Sequence, residues 1–207
     1  MNMFLQGISL VAKPTKGMIR DVKDIASRKP SRQAFLTLGL LMFRYCSDNE
    51  AQCAYGKTNP ITHAEIFLED KLGRSCSGQE NLDRVEEILM AIKAIGNAGR
   101  PSRAARTLLA CAKTAQHQNI TASALEALRR MPCNDEVQTG LHELLENINL
   151  DTEKRIQAYI AVMRCPGKET VKRIVLHLEK EQSRQLGSFI WSHLKNINES
   201  SDPRHTR

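Results

Sequence analysis

Apolar residues recur along most of this chain three or four positions apart, which is the spacing of an α-helix. One stripe contains Val85, Ile88, Leu89, Ile92 and Ile95, and the opposite positions are largely polar. Side chains at this spacing share one face of a helix, so each stripe predicts a helix with one buried face. Four similar stripes follow, at residues 137–148, 156–163, 171–178 and 186–197.

Shorter periodic segments predict helices in the first half of the chain as well. The polar segments 47–62 and 73–80 lack this periodicity and are predicted to be loops. No segment alternates with period two, so no strand is predicted. The early helices are expected near residues 16–27, 31–46, 62–74, 81–96 and 102–115. Residues whose side-chain oxygens cap helix starts precede several of the helices: Ser31, Thr62 (with Glu65 three residues later), Asn134, Asp151 and Ser183.

The chain also repeats itself. Segments 91–101, 124–132 and 158–166 each end a helix at a proline, and their first alanines are 33 and 34 residues apart. Proline fits a turn here, because it disfavours helix in the residue before it. Repeated helix–turn–helix units bury their apolar faces by stacking on one another. The predicted fold class is therefore all-α: a right-handed α-α superhelix, a solenoid of helical hairpins with no β-sheet within this chain.

Residues 1–203 are expected to form a single helical superhelix domain, followed by a tail at 204–207. The chain begins abruptly and ends soon after its last predicted helix, which favours a fragment of a larger module. No signal peptide is recognised, because residues 1–11 lack a basic start and a small-residue cleavage site. No apolar run approaches the ~20 residues needed to cross a bilayer.

Composition agrees with helices, since aromatic residues make up only 4% of the chain. The net charge of +7 fits either an anionic partner or simply a solvated helical surface. The basic residues are spread from Lys13 to Arg207 and never form a run of five. No nucleic-acid-binding motif accompanies them, so a nucleic-acid partner is not expected.

Several segments resemble a known family. The string 185–203 resembles the last helix of the vitellogenin-type N-terminal module of the large lipid transfer proteins, the vitellogenin, apolipophorin and apolipoprotein B group. Segments 124–133 and 158–166 resemble the preceding helix turns, and 94–99 resembles another. In that family, a horseshoe of helices surrounds β-sheets that enclose lipid. The resemblance covers nearly the whole chain. It implies that the chain corresponds to the helical part of that module, without the β-sheets.

The resemblance implies lipid transport, with this chain as the helical scaffold segment of a secreted lipoprotein or yolk-precursor protein. The expected partner is phospholipid or neutral lipid, held only together with the β-sheets of a full-length protein, and a cell-surface receptor is a further candidate. The alternative is a free-standing helical solenoid that binds a protein or polyanion through a basic surface. No catalytic motif, metal-ligand spacing or cofactor-binding loop is recognised, so the chain is not expected to be an enzyme.

Six cysteines raise the question of disulfides. Cys133 and Cys165 adjoin the turn prolines of adjacent repeats, where equivalent positions lie close enough for a bridge. Cys46 and Cys53 could close the polar loop between them. For Cys133 and Cys165, two buried free thiols are the alternative, and the secreted nature of the resembled family favours the bridge. Cys76 and Cys111 have no obvious partner.

Two sequons make Asn119 and Asn198 candidate N-glycosylation sites. Asn119 is also predicted to cap a helix. In the last helix, His193 lies on the apolar stripe and is expected to be a hydrogen-bonded packing residue. Trp191 is expected to pack against a neighbouring layer, although it could instead face a sheet supplied by a full-length protein.

Overall fold

The structure, a computed structural model, describes residues 2–54, 56, 59–78, 80–100 and 103–200. Within these residues the chain forms eleven α-helices and a short 3-10 helix at Glu50–Cys53, with no strand, so the all-α prediction is confirmed. The helices are α1 Asn2–Ser9, α2 Lys16–Arg28, α3 Arg32–Asp48, α4 Pro60–Asp70, α5 Leu82–Ala98, α6 Ala104–Thr114, α7 Gln118–Arg130, α8 Asp135–Glu146, α9 Thr152–Val162, α10 Lys168–Leu178 and α11 Arg184–Glu199.

The chain divides into two compact units, at residues 1–132 and 133–207. Helices α1 to α7 belong to the first unit and α8 to α11 to the second. The expected tail at 204–207 lies outside the described residues. No helix in the described ranges is both long and apolar enough to cross a membrane.

The first unit is built in two layers. Helices α3, α5 and α7 lie side by side in one layer, and α2, α4 and α6 form the other. Each helix of one layer packs on its chain neighbour in the other, as α6 does on α7. These are the stacked hairpins that the repeats predicted. Helix α1, which the apolar pattern did not predict, adds to this unit by packing on α3.

Small residues allow the helices of the α3–α5–α7 layer to approach closely. A Cβ added to Gly39 in α3 would lie 2.3 Å from the carbonyl oxygen of Ala94 in α5. A Cβ added to Gly96 would lie 3.0 Å from the Cα of Ala127 in α7. Helix α5 then ends at Gly99, whose φ of 59° is the left-handed conformation that glycine adopts without strain.

Most of the predicted helix caps are confirmed. The side chains of Ser31, Asn134, Asp151 and Ser183 each accept a hydrogen bond from a backbone N–H in the first turn of the helix that follows. The Thr62 cap is wrong, because α4 already begins at Pro60 with Asn59 as its cap. Proline suits this first helical position, since it has no N–H to leave unsatisfied.

The second unit has a smaller core. Helix α9 packs against both α8 and α11, and the side chain of Tyr159 at its centre is fully buried. Helix α10 buries only Ile174, and α11 buries only Leu186 and Ile190. Most of the other apolar residues on these two stripes are only half-buried.

Candidate functional site

Three disulfides connect helices and turns of the described chain. The structure places Cys46 at the end of α3 and Cys53 in the 3-10 helix with a disulfide between them and a Cα–Cα distance of 5.7 Å. Cys133 and Cys165 are likewise bridged, with a Cα–Cα distance of 5.9 Å. Both pairs considered from the sequence are thus brought together.

The third disulfide joins Cys76 to Cys111, two residues for which the sequence suggested no partner. Both are fully buried, and Cys76 adopts a positive φ of 54°, uncommon for a residue with a side chain. The two cysteines are 35 residues apart, and Cys133 and Cys165 are 32 apart. Both separations lie close to the repeat length of the chain. This similarity was a signal from which the pairing of Cys76 with Cys111 could have been predicted.

The two sequon asparagines lie at exposed positions on helices. Asn119 is in the first turn of α7, whose N-cap is His117, so the prediction that Asn119 caps this helix is wrong. The helix begins one residue before Asn119, because the carbonyl of His117 already accepts the N–H of Thr121 at 3.2 Å. Asn198 lies in the last turn of α11.

His193 is a hydrogen-bonded packing residue, as predicted. Its Nδ1 lies 2.8 Å from the hydroxyl of Tyr159, and the ring of Phe189 stacks on its ring. Burial raises the pKa of Tyr159 far above its ordinary value, so this hydroxyl stays protonated. The three rings fasten α11 to α9.

A buried ion pair, which the sequence did not suggest, lies between α9 and the turn after α10. The guanidinium of Arg155 donates to both carboxylate oxygens of Glu181, at 3.2 and 2.5 Å, and to the carbonyl of Leu145 at 2.8 Å. The side chains are 3% and 2% exposed. Burial alone would raise the pKa of Glu181, but the hydrogen bonds from Arg155 and the Ser183 N–H outweigh it and lower that pKa. His177 lies 2.9 Å from the same carboxylate.

A second ion pair connects α8 to α10. Arg173 donates to both oxygens of Glu146, at 2.5 and 2.7 Å, and this lowers the pKa of the carboxyl. The neighbouring His142 is buried, and its Nδ1 has no hydrogen-bond partner within the described part of the chain. Burial, and then the charge of Arg173, lower the pKa of His142. The second unit is therefore held together partly by charged groups.

The last two helices, like several earlier segments, carry exposed apolar side chains. Val175 and Leu176 in α10 are 44% and 50% exposed, and Trp191 in α11 is 64% exposed. The expectation that Trp191 packs against a neighbouring layer is wrong for this chain, because the indole lies outside the α9–α11 contact formed by Tyr159 and His193.

The net charge is distributed unevenly between the units. Residues 1–132 contain 19 Lys and Arg against 12 Asp and Glu, whereas residues 133–207 contain 11 of each. The whole excess of +7 thus belongs to the first unit. That unit also has an open groove of about 180 Å³ between α3, α5 and α7, lined by Lys93, Asn97, Glu126 and Arg130.

The described chain is thus a disulfide-linked array of helical hairpins whose excess positive charge lies in the first unit. The family model for the vitellogenin TPR domain matches residues 3–195. The chain therefore belongs to the vitellogenin TPR domain family.

Individual relatives agree with this assignment. The apolipophorins of Locusta migratoria are 30% identical over 97% of this chain, and the apolipoprotein B-100 of Homo sapiens is 26% identical over 94%. A solved structure describing lipid–protein interactions in lipovitellin matches with a TM-score of 0.71 and 25% identity over 92% of this chain. The chain spans only 6%, 4% and 20% of the length of these three proteins.

Proposed function

We propose that this chain is the helical scaffold segment of a secreted lipid-transport protein. The observation that carries the proposal is the match of 92% of the chain to a lipovitellin structure described by its lipid–protein interactions. The relatives named apolipophorin, apolipoprotein B and vitellogenin support the same class. Phospholipid or neutral lipid is the cargo, held together with other parts of a longer protein, and a cell-surface receptor is a further partner.

The geometry supports a structural role for the chain and not a catalytic one. The charged and aromatic clusters, such as Arg155 with Glu181 and Tyr159 with His193, bind each other and fasten helices together. Groups used in this way hold a fixed surface in place. The scaffold thus acts by presenting surfaces to lipid and to neighbouring domains.

Secretion is part of this proposal, and the cysteines and sequons support it. Disulfides persist in oxidising compartments outside the cytosol. The bridges Cys46–Cys53 and Cys133–Cys165 are proposed to be present in the native protein, with glycans on Asn119 and Asn198. Peptide mass spectrometry of non-reduced protein from the native source, with and without glycosidase, tests both. Free thiols at the four cysteines or unmodified asparagines would refute the respective assignment.

The test of the main proposal is the size and density of the native protein. An antibody against residues 182–200 is used on cells and on secreted fluid separately. The proposal predicts a band several-fold heavier than the 23.3 kDa of this chain, in the fluid and in a low-density lipid fraction. A lipid-free band near 23.3 kDa inside cells would contradict it.

A second candidate function is favoured by the charge of +7 on the first unit. Here the chain is a free-standing helical solenoid that binds a polyanion or an acidic protein through that unit. Heparin–agarose retention that weakens steeply between 0.1 and 0.5 M salt, on the order of tenfold or more, would support this candidate. Retention that does not respond to salt would remove its basis.

A further inference from the structure

Helix α10 is fixed just beyond both of its ends and held only lightly in between. The disulfide of Cys133 with Cys165 fixes the chain three residues before α10 begins, and the buried pair of Arg155 with Glu181 fixes the turn that follows it. Between these points α10 buries only Ile174, and within the described residues no other helix packs along its length. The middle of α10 can therefore leave its neighbours without unfolding the rest of the unit.

The middle of α10 is attached to α8 by the pair of Arg173 with Glu146. The Nε and Nη2 of the guanidinium donate to the two carboxylate oxygens, at 2.5 and 2.7 Å. The two side chains are 42% and 32% exposed, so solvent screens their attraction. A competing positive charge beside Glu146 would therefore weaken the attachment of α10.

His142 brings such a charge next to Glu146 when it is protonated. Its side chain is 6% exposed, and its Nδ1 lies 3.9 Å from the same carboxylate oxygen that accepts from Arg173 Nε. This Nδ1 has no hydrogen-bond partner in the described part of the chain. Because an imidazolium carries a proton on both ring nitrogens, protonated His142 needs an acceptor there and competes with Arg173 for Glu146.

The groups of α10 that face His142 oppose its protonation. Arg173 and His177 both act against a positive charge at His142, and Glu146 on its own helix favours one. Helix α9, which also packs on α8, carries Arg155, whose guanidinium is already bonded to a carboxylate and a carbonyl. A proton on His142 is therefore accommodated best when α10 moves away and leaves Glu146 to the imidazolium.

We propose that protonation of His142 releases α10 from α8, so that the second unit opens locally in mild acid while the first unit stays folded. In the closed form His142 is neutral, because burial lowers its pKa. Opening restores the ordinary pKa of about 6.5. The closed form is therefore fully favoured above that pH and loses this advantage as the pH falls below it.

This acid response goes beyond the proposed lipid-transport function and does not depend on the cargo. Histidines that titrate in this range operate the pH switches of proteins that enter endosomes. A secreted carrier that is taken up by a cell meets the same acidity. The second unit would then change its surface after uptake and keep it unchanged in neutral fluid.

Hydrogen exchange of the full chain at pH 7.5 and pH 5.5 tests the proposal. After correction for the pH dependence of amide exchange itself, peptides of α10 should lose protection by up to about tenfold, since one proton is taken up and pH 5.5 lies one unit below the ordinary pKa. Peptides of α3 should keep their protection. Unchanged protection of α10, or an equal loss in α3, would overturn the proposal.

Two histidine variants separate the titrating group from its neighbour. The side chain in His142→Gln is polar but does not titrate, so the acid response of α10 should disappear. His177→Gln is the matched control within the same cluster. A proton on His177 can be donated to Glu181, 2.9 Å away, and does not compete for Glu146, so this variant should keep the response. Loss of the response in both variants, or in neither, would contradict the assignment to His142.

Arg173→Met tests the attachment without changing a histidine. It removes the contact with Glu146, so α10 should lose protection already at pH 7.5, by at least as much as the unaltered chain loses in acid. Arg129→Met, at an exposed position of α7, is the control and should leave α10 unchanged. Full protection of α10 in the Arg173 variant would overturn the proposal, while the native density experiment judges the lipid-transport function separately.

Discussion

Helices α5 and α10 show how differently the two units are stabilised. Helix α5 buries nine of its 17 residues and packs against α3, α4 and α7. Helix α10 buries one of its 11 residues and is connected to α8 mainly through Arg173 and Glu146. The first unit is held by close apolar packing, and the second combines a smaller apolar core with the buried Arg155–Glu181 ion pair and the contact between Tyr159 and His193.

The comparison predicts the largest effect at the buried ion pair of the second unit. Arg155→Met removes the guanidinium from the buried carboxylate of Glu181, and we expect a loss of about 3–5 kcal/mol in the free energy of unfolding. Urea denaturation followed by circular dichroism measures this loss. The double variant Arg155→Met with Glu181→Leu should recover much of it, because no unpaired charge remains buried.

Arg130→Met is the control for that experiment. Arg130 pairs with Glu126 in α7, and both side chains are about half exposed, so the loss should be about 0.5 kcal/mol or less. Equal losses for Arg155 and Arg130 would mean that the second unit does not depend on its buried pair.

The disulfides provide the next largest effect. Replacing both Cys133 and Cys165 by alanine should cost about 3.5 kcal/mol, because their bridge closes a chain segment of 32 residues. Replacing both Cys46 and Cys53 should cost about 2.5 kcal/mol, since that bridge closes only seven. Denaturation of the two double variants under non-reducing conditions compares them directly. A larger loss from the shorter bridge would show that loop closure is not the dominant contribution.

Close helix packing in the first unit should be sensitive to a single methyl group. Gly39→Ala places a Cβ against the backbone of Ala94, and we expect a loss of about 3 kcal/mol. Gly187→Ala in α11 meets only ordinary contacts and should instead stabilise its helix by about 0.5–1 kcal/mol. Thermal denaturation distinguishes the signs, and stabilisation by both variants would contradict the close approach of α3 and α5.

The smallest effect is a pH dependence confined to the second unit. Burial lowers the pKa of His142, so this imidazole stays neutral in the folded state at pH values where the same imidazole is already protonated in the unfolded chain. This contribution to stability is complete above the ordinary pKa of about 6.5 and is lost as pH falls from there toward the lowered value.

The groups around His142 are Glu146 on its own helix and Arg173 and His177 on α10. The two lowered glutamate pKa values contribute only at more acidic pH, near and below their ordinary value of about 4.5. Urea denaturation at pH 7.5 and pH 5.5 should show a decrease that His142→Gln reduces. An identical decrease in that variant would assign the effect to other groups.

Periodic patterns predicted the helices well because each helix buries a continuous stripe. The caps at Ser31 and Asn134 were predictable for the same local reason, since the hydrogen bond spans three residues. Helix α1 was missed because a single apolar turn near the start of a chain gives little periodicity. The prediction that Thr62 caps α4 was wrong because Asn59, which lies three residues earlier, is the cap and Pro60 is the first helical residue.

Contacts between distant residues were harder to predict. Arg155 and Glu181 are 26 residues apart, and each looks like an ordinary surface charge in sequence. The partner of Cys76 was missed, although its spacing from Cys111 is close to the repeat length. The exposure of Trp191 was not predicted either, because Trp191 lies off the apolar stripe and the sequence does not show whether a neighbouring layer or a sheet covers it.

Hydrogen exchange followed by mass spectrometry tests the contrast between the units most directly. We predict that peptides from α3 and α5 are protected far longer than peptides from α10 and α11, because α3 and α5 bury many more of their residues. Equal protection of α5 and α10 would contradict this account.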